Sequence, residues 1–165
     1  MTSDAELTEP IDPDVDLRVR AQRRELVRSQ LPVLGVISLG GGIGALARFG
    51  VAQWLPTGPG QFPWATFWTN AIGCFLIGIL MVLITEVVSA HRLVRPFIGV
   101  GFLGGFTTFS TYAVEIHNLL KPGSVGTAFA YLVGALLAAG LAVVLGVWFT
   151  RWATGVRRSA GGDAA

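Results

Sequence analysis

Charged residues divide this chain into long apolar stretches. Nineteen residues without Asp, Glu, Lys or Arg lie between Arg28 and Arg48, and thirty-seven between Arg48 and Glu86. Nineteen more lie between Arg95 and Glu115, and twenty-nine between Lys121 and Arg151. A bilayer core of about 30 Å needs roughly 20 apolar residues in helical form. The pattern therefore predicts four transmembrane helices, at 33–55, 64–90, 95–119 and 125–150. Pro56, Gly58, Pro59, Gly60 and Pro63 interrupt the second run and make 56–63 the first connection. Residues 91–95 form the second connection, and 121–124, with Pro122 and Gly123, the third.

Composition agrees. The 165 residues are 52% hydrophobic and 13% charged, with mean hydropathy +0.62, whereas soluble domains run near a quarter charged. That balance excludes a disordered chain, a nucleic-acid binder and most soluble enzymes. A single cysteine, Cys74, excludes a disulfide framework within one chain, and two distant histidines make no metal site. No nucleophile–base pair stands out, so no enzyme is expected. The fold class is an all-α membrane protein with a membrane domain at 31–152. It is flanked by tails at 1–30 and 153–165.

The N-terminal tail starts acidic (Asp4, Glu6, Glu9, Asp12, Asp14, Asp16) and turns basic (Arg18, Arg20, Arg23, Arg24, Arg28). It lacks the basic start and apolar core of a signal peptide, so it reads as a retained cytoplasmic tail. Its basic part reads first as a solvated orientation signal, with a short surface helix on an anionic leaflet as the alternative. Five arginines precede the first span, Arg92 and Arg95 lie in the second connection, and Arg151, Arg157 and Arg158 follow the fourth span. Ten basic residues thus share one side, against Lys121 and at most Arg48 on the other, which puts both termini in the cytoplasm.

The span interiors carry little charge. Glu86 and Glu115 fall near span ends, so the carboxylate that a proton-coupled cation exporter needs is missing from mid-membrane. Arg48 is the one charge well inside a span. It either offers its donors to an anion or snorkels to the outer interface. Trp64 and Trp68 read as interfacial anchors, and Asn70 lies deeper. Its carboxamide serves a neighbouring helix as a polar tie or presents its NH₂ to an anion, the tie being the plainer reading. In the third span, Gly104 and Gly105 precede four hydroxyl residues within 107–111. Such a stretch either breaks the helix beside a cavity or packs closely on a neighbour, and packing is again the plainer reading. Phe109 and Tyr112 share one helix face, and Thr108, Thr111 and Glu115 another. Gly40–Gly44 in the first span and Gly134, Gly140 and Gly146 in the fourth read as close-packing faces.

Three segments together resemble the Fluc (CrcB) family of fluoride channels: Gly-Gly-Gly-Ile-Gly-Ala-Leu-Ala-Arg48, Thr69-Asn70-Ala-Ile-Gly-Cys-Phe-Leu-Ile-Gly and Gly101-Phe-Leu-Gly-Gly-Phe-Thr-Thr-Phe-Ser-Thr-Tyr112. The resemblance covers residues 33–150. It implies an antiparallel dimer of four-helix subunits with two pores, each lined by both subunits. It also implies passive fluoride export across the cytoplasmic membrane, which lowers fluoride toxicity. The third helix would break at the dimer centre, where carbonyls of Gly104 and Thr107 hold a structural sodium ion that is not transported. Asn70 would hydrogen-bond fluoride, and Phe109 would face it with a positive ring edge. Ser110, Thr108 and Thr111 would supply hydroxyls. Arg48 would line the vestibule and Tyr131 the pore from the fourth helix.

Three departures accompany the resemblance. Tyr112 replaces the second phenylalanine of the family's pair, and Ala135 and Ala139 stand where some members place serines. The charge bias is the third, because an antiparallel homodimer must insert both ways. A firmly oriented chain suits a dimer with a homologous, oppositely oriented subunit. A non-conducting membrane subunit is the other reading kept open.

Overall fold

The computed structural model describes residues 26–87, 91–121 and 123–155, together with Arg20 and Arg24. By contact the chain divides into two units, 1–32 and 33–165. In the first unit, a π-wound turn (Leu26–Gln30) leads into α1. Among the described residues all regular structure is helical. α1 spans Leu31–Trp54 and α2 spans Trp64–Val82, the latter continued by a π-wound turn, Leu83–Val87. The third span opens with π-wound Arg95–Phe102, has Pro96 in its first turn, and passes into a short α3, Leu103–Phe106. α4 (Ser110–Leu120) completes that span, and α5 (Val125–Thr154) is the fourth.

Four helices are thus long and apolar enough to cross a bilayer: Leu31–Trp54, Trp64–Val87, Arg95–Leu120 and Val125–Thr154. The expected end of the second span, 88–90, lies outside the described residues. The fourth helix runs four residues past its expected end at Thr150. Arg151 pairs with the Glu86 carboxylate through both Nε and a terminal nitrogen, so its charge does not stop the helix. Gly155 does, with φ +68° in the left-handed region that glycine adopts without strain. At about 1.5 Å per residue, the 30 residues of α5 extend about 45 Å.

Large apolar side chains cover much of the exposed surface, as suits a chain dissolved in lipid, while several threonines are buried beside a core of Leu103, Phe106, Tyr112, Leu119 and Tyr131. Leu46, Leu137 and Leu141 lie mostly exposed, while Thr66, Thr69 and Thr150 are buried. The two threonines Thr69 and Thr150 donate to carbonyls of their own helices, Thr66 and Gly146, at 3.0 and 2.8 Å. Close backbone approach sets the helix positions. A Cβ on Gly78 would stand 3.0 Å from the Val147 nitrogen, and one on Gly146 would stand 3.2 Å from the Ile79 nitrogen, so α2 and α5 interlock through reciprocal notches. α1 meets the third span likewise, since a Cβ on Gly44 would stand 2.9 Å from the Phe106 nitrogen. Gly134 and Gly140 differ from the sequence reading: apart from their chain neighbours and the nearby backbone of their own helix, nothing lies within 4 Å of a Cβ built on either, and only Gly146 of the three packs closely. Tyr131 is fully enclosed, its ring edge-on to Phe62 at 5.2 Å and to Tyr112 at 5.1 Å.

Candidate functional site

The site grows from residues 107–109. Thr107 is extended (φ −80°, ψ 159°), so the helical ladder does not run from α3 into α4. Three side-chain contacts take the place of that ladder. The N–H of Thr108, which a continuous helix would aim at the Gly104 carbonyl, donates instead to Asn70 Oδ1 at 2.8 Å. The N–H of Thr111 donates to Thr108 Oγ1 at 3.2 Å instead of to the Thr107 carbonyl. The Gly105 carbonyl accepts from Arg48 Nε at 3.2 Å. Asn70 Nδ2 also donates to the Thr108 carbonyl at 2.9 Å, so one carboxamide pairs with both polar groups of one backbone residue. This double contact fixes which end of the amide is oxygen. Nδ2 carries two hydrogens, and one remains for another acceptor.

These contacts leave the carbonyls of Gly104 and Thr107 without their helical donors, and both residues line one hollow of about 340 Å³. Asn70, Thr108, Phe109 and Tyr112 line it too, with Cys74, Ala135, Leu136 and Ala139. The Gly104 face is open, with nothing within 4 Å of a Cβ position. Phe109 is 75% exposed and its ring lies 5.7 Å from that of Tyr112. Tyr112 is 6% exposed, and its hydroxyl donates to the Leu132 carbonyl at 2.7 Å. The hydroxyl that sets Tyr112 apart from phenylalanine is therefore bonded to α5, which leaves the ring to act as an aromatic wall.

A second hollow, of about 460 Å³, is polar along one side through Arg48, Thr66, Thr69, Thr111 and Glu115. Arg48 turns towards the third span, its Nη1 donating to Thr111 Oγ1 at 3.3 Å. Thr108 Oγ1 lies 3.1 Å from Thr111 Oγ1 and 3.3 Å from Ser110 Oγ. A chain of hydroxyls thus runs from the interrupted backbone to the guanidinium. Glu115 closes the far side, accepting from Thr66 Oγ1 and from Tyr131 Oη, both at 2.7 Å. It also lines a third hollow of about 630 Å³ with Thr57, Gln61, Asn118 and Lys121 at the α1–α2 connection.

Of the sequence candidates, Asn70, Gly104, Thr107, Thr108, Phe109 and Tyr112 meet at one hollow, and Arg48 and Thr111 meet at the next. Ser110 joins them through Thr108, whereas Tyr131 lies in the protein core and reaches the site through Glu115. Thr66 and Thr69 were not singled out from the sequence. The available signal was their spacing, since Thr66, Thr69, Asn70 and Gly73 recur on one helix face.

Four helices long and apolar enough to cross a bilayer, with a polar, hollow-lining interruption in the third, define a small polytopic membrane protein. The chain belongs to the CrcB family: the profile described as CrcB-like protein, Camphor Resistance (CrcB), matches residues 35–147. It is 60% identical over 126 residues to the fluoride-specific ion channel FluC 2 of Nocardia farcinica, covering 76% of this chain and 90% of that one. It is 54% identical over 135 residues to the fluoride-specific ion channel FluC 1 of Streptomyces coelicolor, covering 82% and 88%. A fluoride-specific ion channel FluC of Chloroflexus aurantiacus shares 40% identity over 117 residues, 70% of this chain and 93% of that one.

Proposed function

We propose that this chain forms a fluoride-selective ion channel of the cytoplasmic membrane that lets fluoride leave the cell passively. The observation that carries the reading is the convergence of Asn70, Phe109 and Tyr112 on one hollow beside an interrupted helix. The relatives named as fluoride-specific channels support it. Fluoride entering as HF ionises at cytoplasmic pH and is trapped. An interior-negative potential drives it out at about 2.3 kcal/mol per charge for each 100 mV, so no ATP or proton coupling is needed.

The side chains supply what a dehydrated small anion lacks. The spare Asn70 N–H, the hydroxyls of Ser110, Thr108 and Thr111, and the ring edge of Phe109 are all donors or positive edges. Arg48 raises the local potential for anions at the entrance. Glu115, with both oxygens already accepting, has its charge partly offset by Thr66 and Tyr131. The Gly104 and Thr107 carbonyls, deprived of helical donors, fit a structural sodium ion, which would contribute a fixed positive charge to the site. The working unit in this reading is an antiparallel dimer with both termini of this chain in the cytoplasm. The charge bias favours a homologous, oppositely oriented partner over a second copy.

Fluoride efflux from proteoliposomes, followed with a fluoride electrode in sodium buffer, tests the reading. Efflux is expected from this chain alone or with its homologous partner, and Phe109→Ile should abolish it while the protein stays folded. Silence with and without the partner would replace the channel by a non-conducting membrane subunit. Normal efflux from Phe109→Ile would remove that residue from the pore.

A further inference from the structure

The basic stretch before α1 lies outside the 35–147 match to the family, and nothing in the hollows above uses it. Arg20, Arg24 and Arg28 recur every fourth residue, the spacing that places side chains on one helix face. In the structure these three exposed arginines and Val27 line a single hollow of about 320 Å³ within the 1–32 unit. Among the described residues, no carboxylate pairs with any of the three guanidinium groups. Like charges around one hollow repel one another and favour an anion between them. Guanidinium groups match phosphate through paired N–H donors and stay charged at any physiological pH.

Chain reach decides which phosphate. Arg28 precedes Leu31, the first residue of a membrane-crossing helix, by three positions, so it stays within about 10 Å of the start of that span. Phosphates held at that depth are those of lipid headgroups, and Val27 suits the less polar layer beneath them. We propose that Arg20, Arg24 and Arg28 form a binding site for the phosphate of an anionic phospholipid.

Native mass spectrometry of the full-length protein, released from non-ionic detergent, tests this with phosphatidylglycerol and phosphatidylcholine as probes. Phosphatidylglycerol should bind more tightly, by about fivefold for each arginine engaged. The triple variant Arg20→Gln, Arg24→Gln, Arg28→Gln should lose the preference, while Arg157→Gln with Arg158→Gln should keep it. Equal loss in both variants would reduce the effect to net charge and overturn the site. Displacement of the lipid by millimolar inorganic phosphate would reassign it to a free anion, which also overturns the proposal. So would a preference that emerges only after Asp12, Asp14 and Asp16 are neutralised, because the arginines would then belong to the acidic tail.

Discussion

Replacing Asn70 by leucine tests the centre of the site. The change removes the two bonds that hold Thr108, at 2.8 and 2.9 Å. At about 1 kcal/mol each, their loss disfavours the interrupted backbone by about 2 kcal/mol, or roughly 30-fold in population. The freed Thr108 N–H can then return to the Gly104 carbonyl, provided Thr107 swings from ψ 159° towards a helical value. That return covers the oxygen assigned to sodium. With the proposed sodium ion held by these carbonyls, sodium should raise the unfolding temperature of the unaltered chain but not of Asn70→Leu, and fluoride efflux from proteoliposomes should fall at least tenfold in the variant. Asn70→Asp separates two roles. It keeps an oxygen for the Thr108 N–H but loses Nδ2 and sets a negative charge in an anion's path. Sodium stabilisation should persist in that variant while efflux is lost. An undiminished sodium response in Asn70→Leu would refute the dependence of the carbonyls on Asn70, and normal efflux in Asn70→Asp would refute its role as a fluoride donor.

Three further outcomes are expected. Gly146→Val should force α2 and α5 apart at a cost of about 1–3 kcal/mol or more, seen as aggregation on size exclusion, whereas Gly140→Ala, in open space, should behave as wild type. Equal behaviour of the two would dispose of the interlocking notches. Tyr131→Phe keeps the ring packing but loses the bond to Glu115, worth about 2 kcal/mol because the acceptor is a carboxylate, and should lower the unfolding temperature by roughly 4–8 °C. A shift below about 1 °C would mean that Glu115 finds another donor. Expressed alone with a reporter on its C-terminus, the chain should take a single orientation; substantial populations in both would undo the case for a homologous partner.

The spans were legible because charge spacing and the 56–63 proline and glycine cluster are local signals. Their ends differ from expectation where a long-range contact intervenes, as at Arg151, whose partner Glu86 lies sixty-five positions away. The site was less legible for the same reason. Asn70 could be read as a tie or as an anion donor, but its double pairing with Thr108, thirty-eight residues on, depends on the rotation of α2 against the third span. Arg48 looked equally able to reach outward, and only the released Gly105 carbonyl explains why it turns in. Glu115 read as a span-end charge because its two donors come from α2 and α5. Tyr112 read as a departure from the family, yet its extra hydroxyl meets the Leu132 carbonyl.

The side chain that holds the third span open belongs to a different helix, and this orders assembly. Transmembrane helices enter the bilayer singly and pack afterwards. In lipid, Thr108 has no water to satisfy its N–H and carbonyl, so before α2 arrives those groups can be met only within the span itself, by an uninterrupted helix. The opening at 107–109 therefore forms at the packing stage, when Asn70 docks. A peptide carrying the third span alone in bicelles should give helical backbone chemical shifts through Thr107, and extended ones there when α2 is added, with the Thr108 N–H protected in both states.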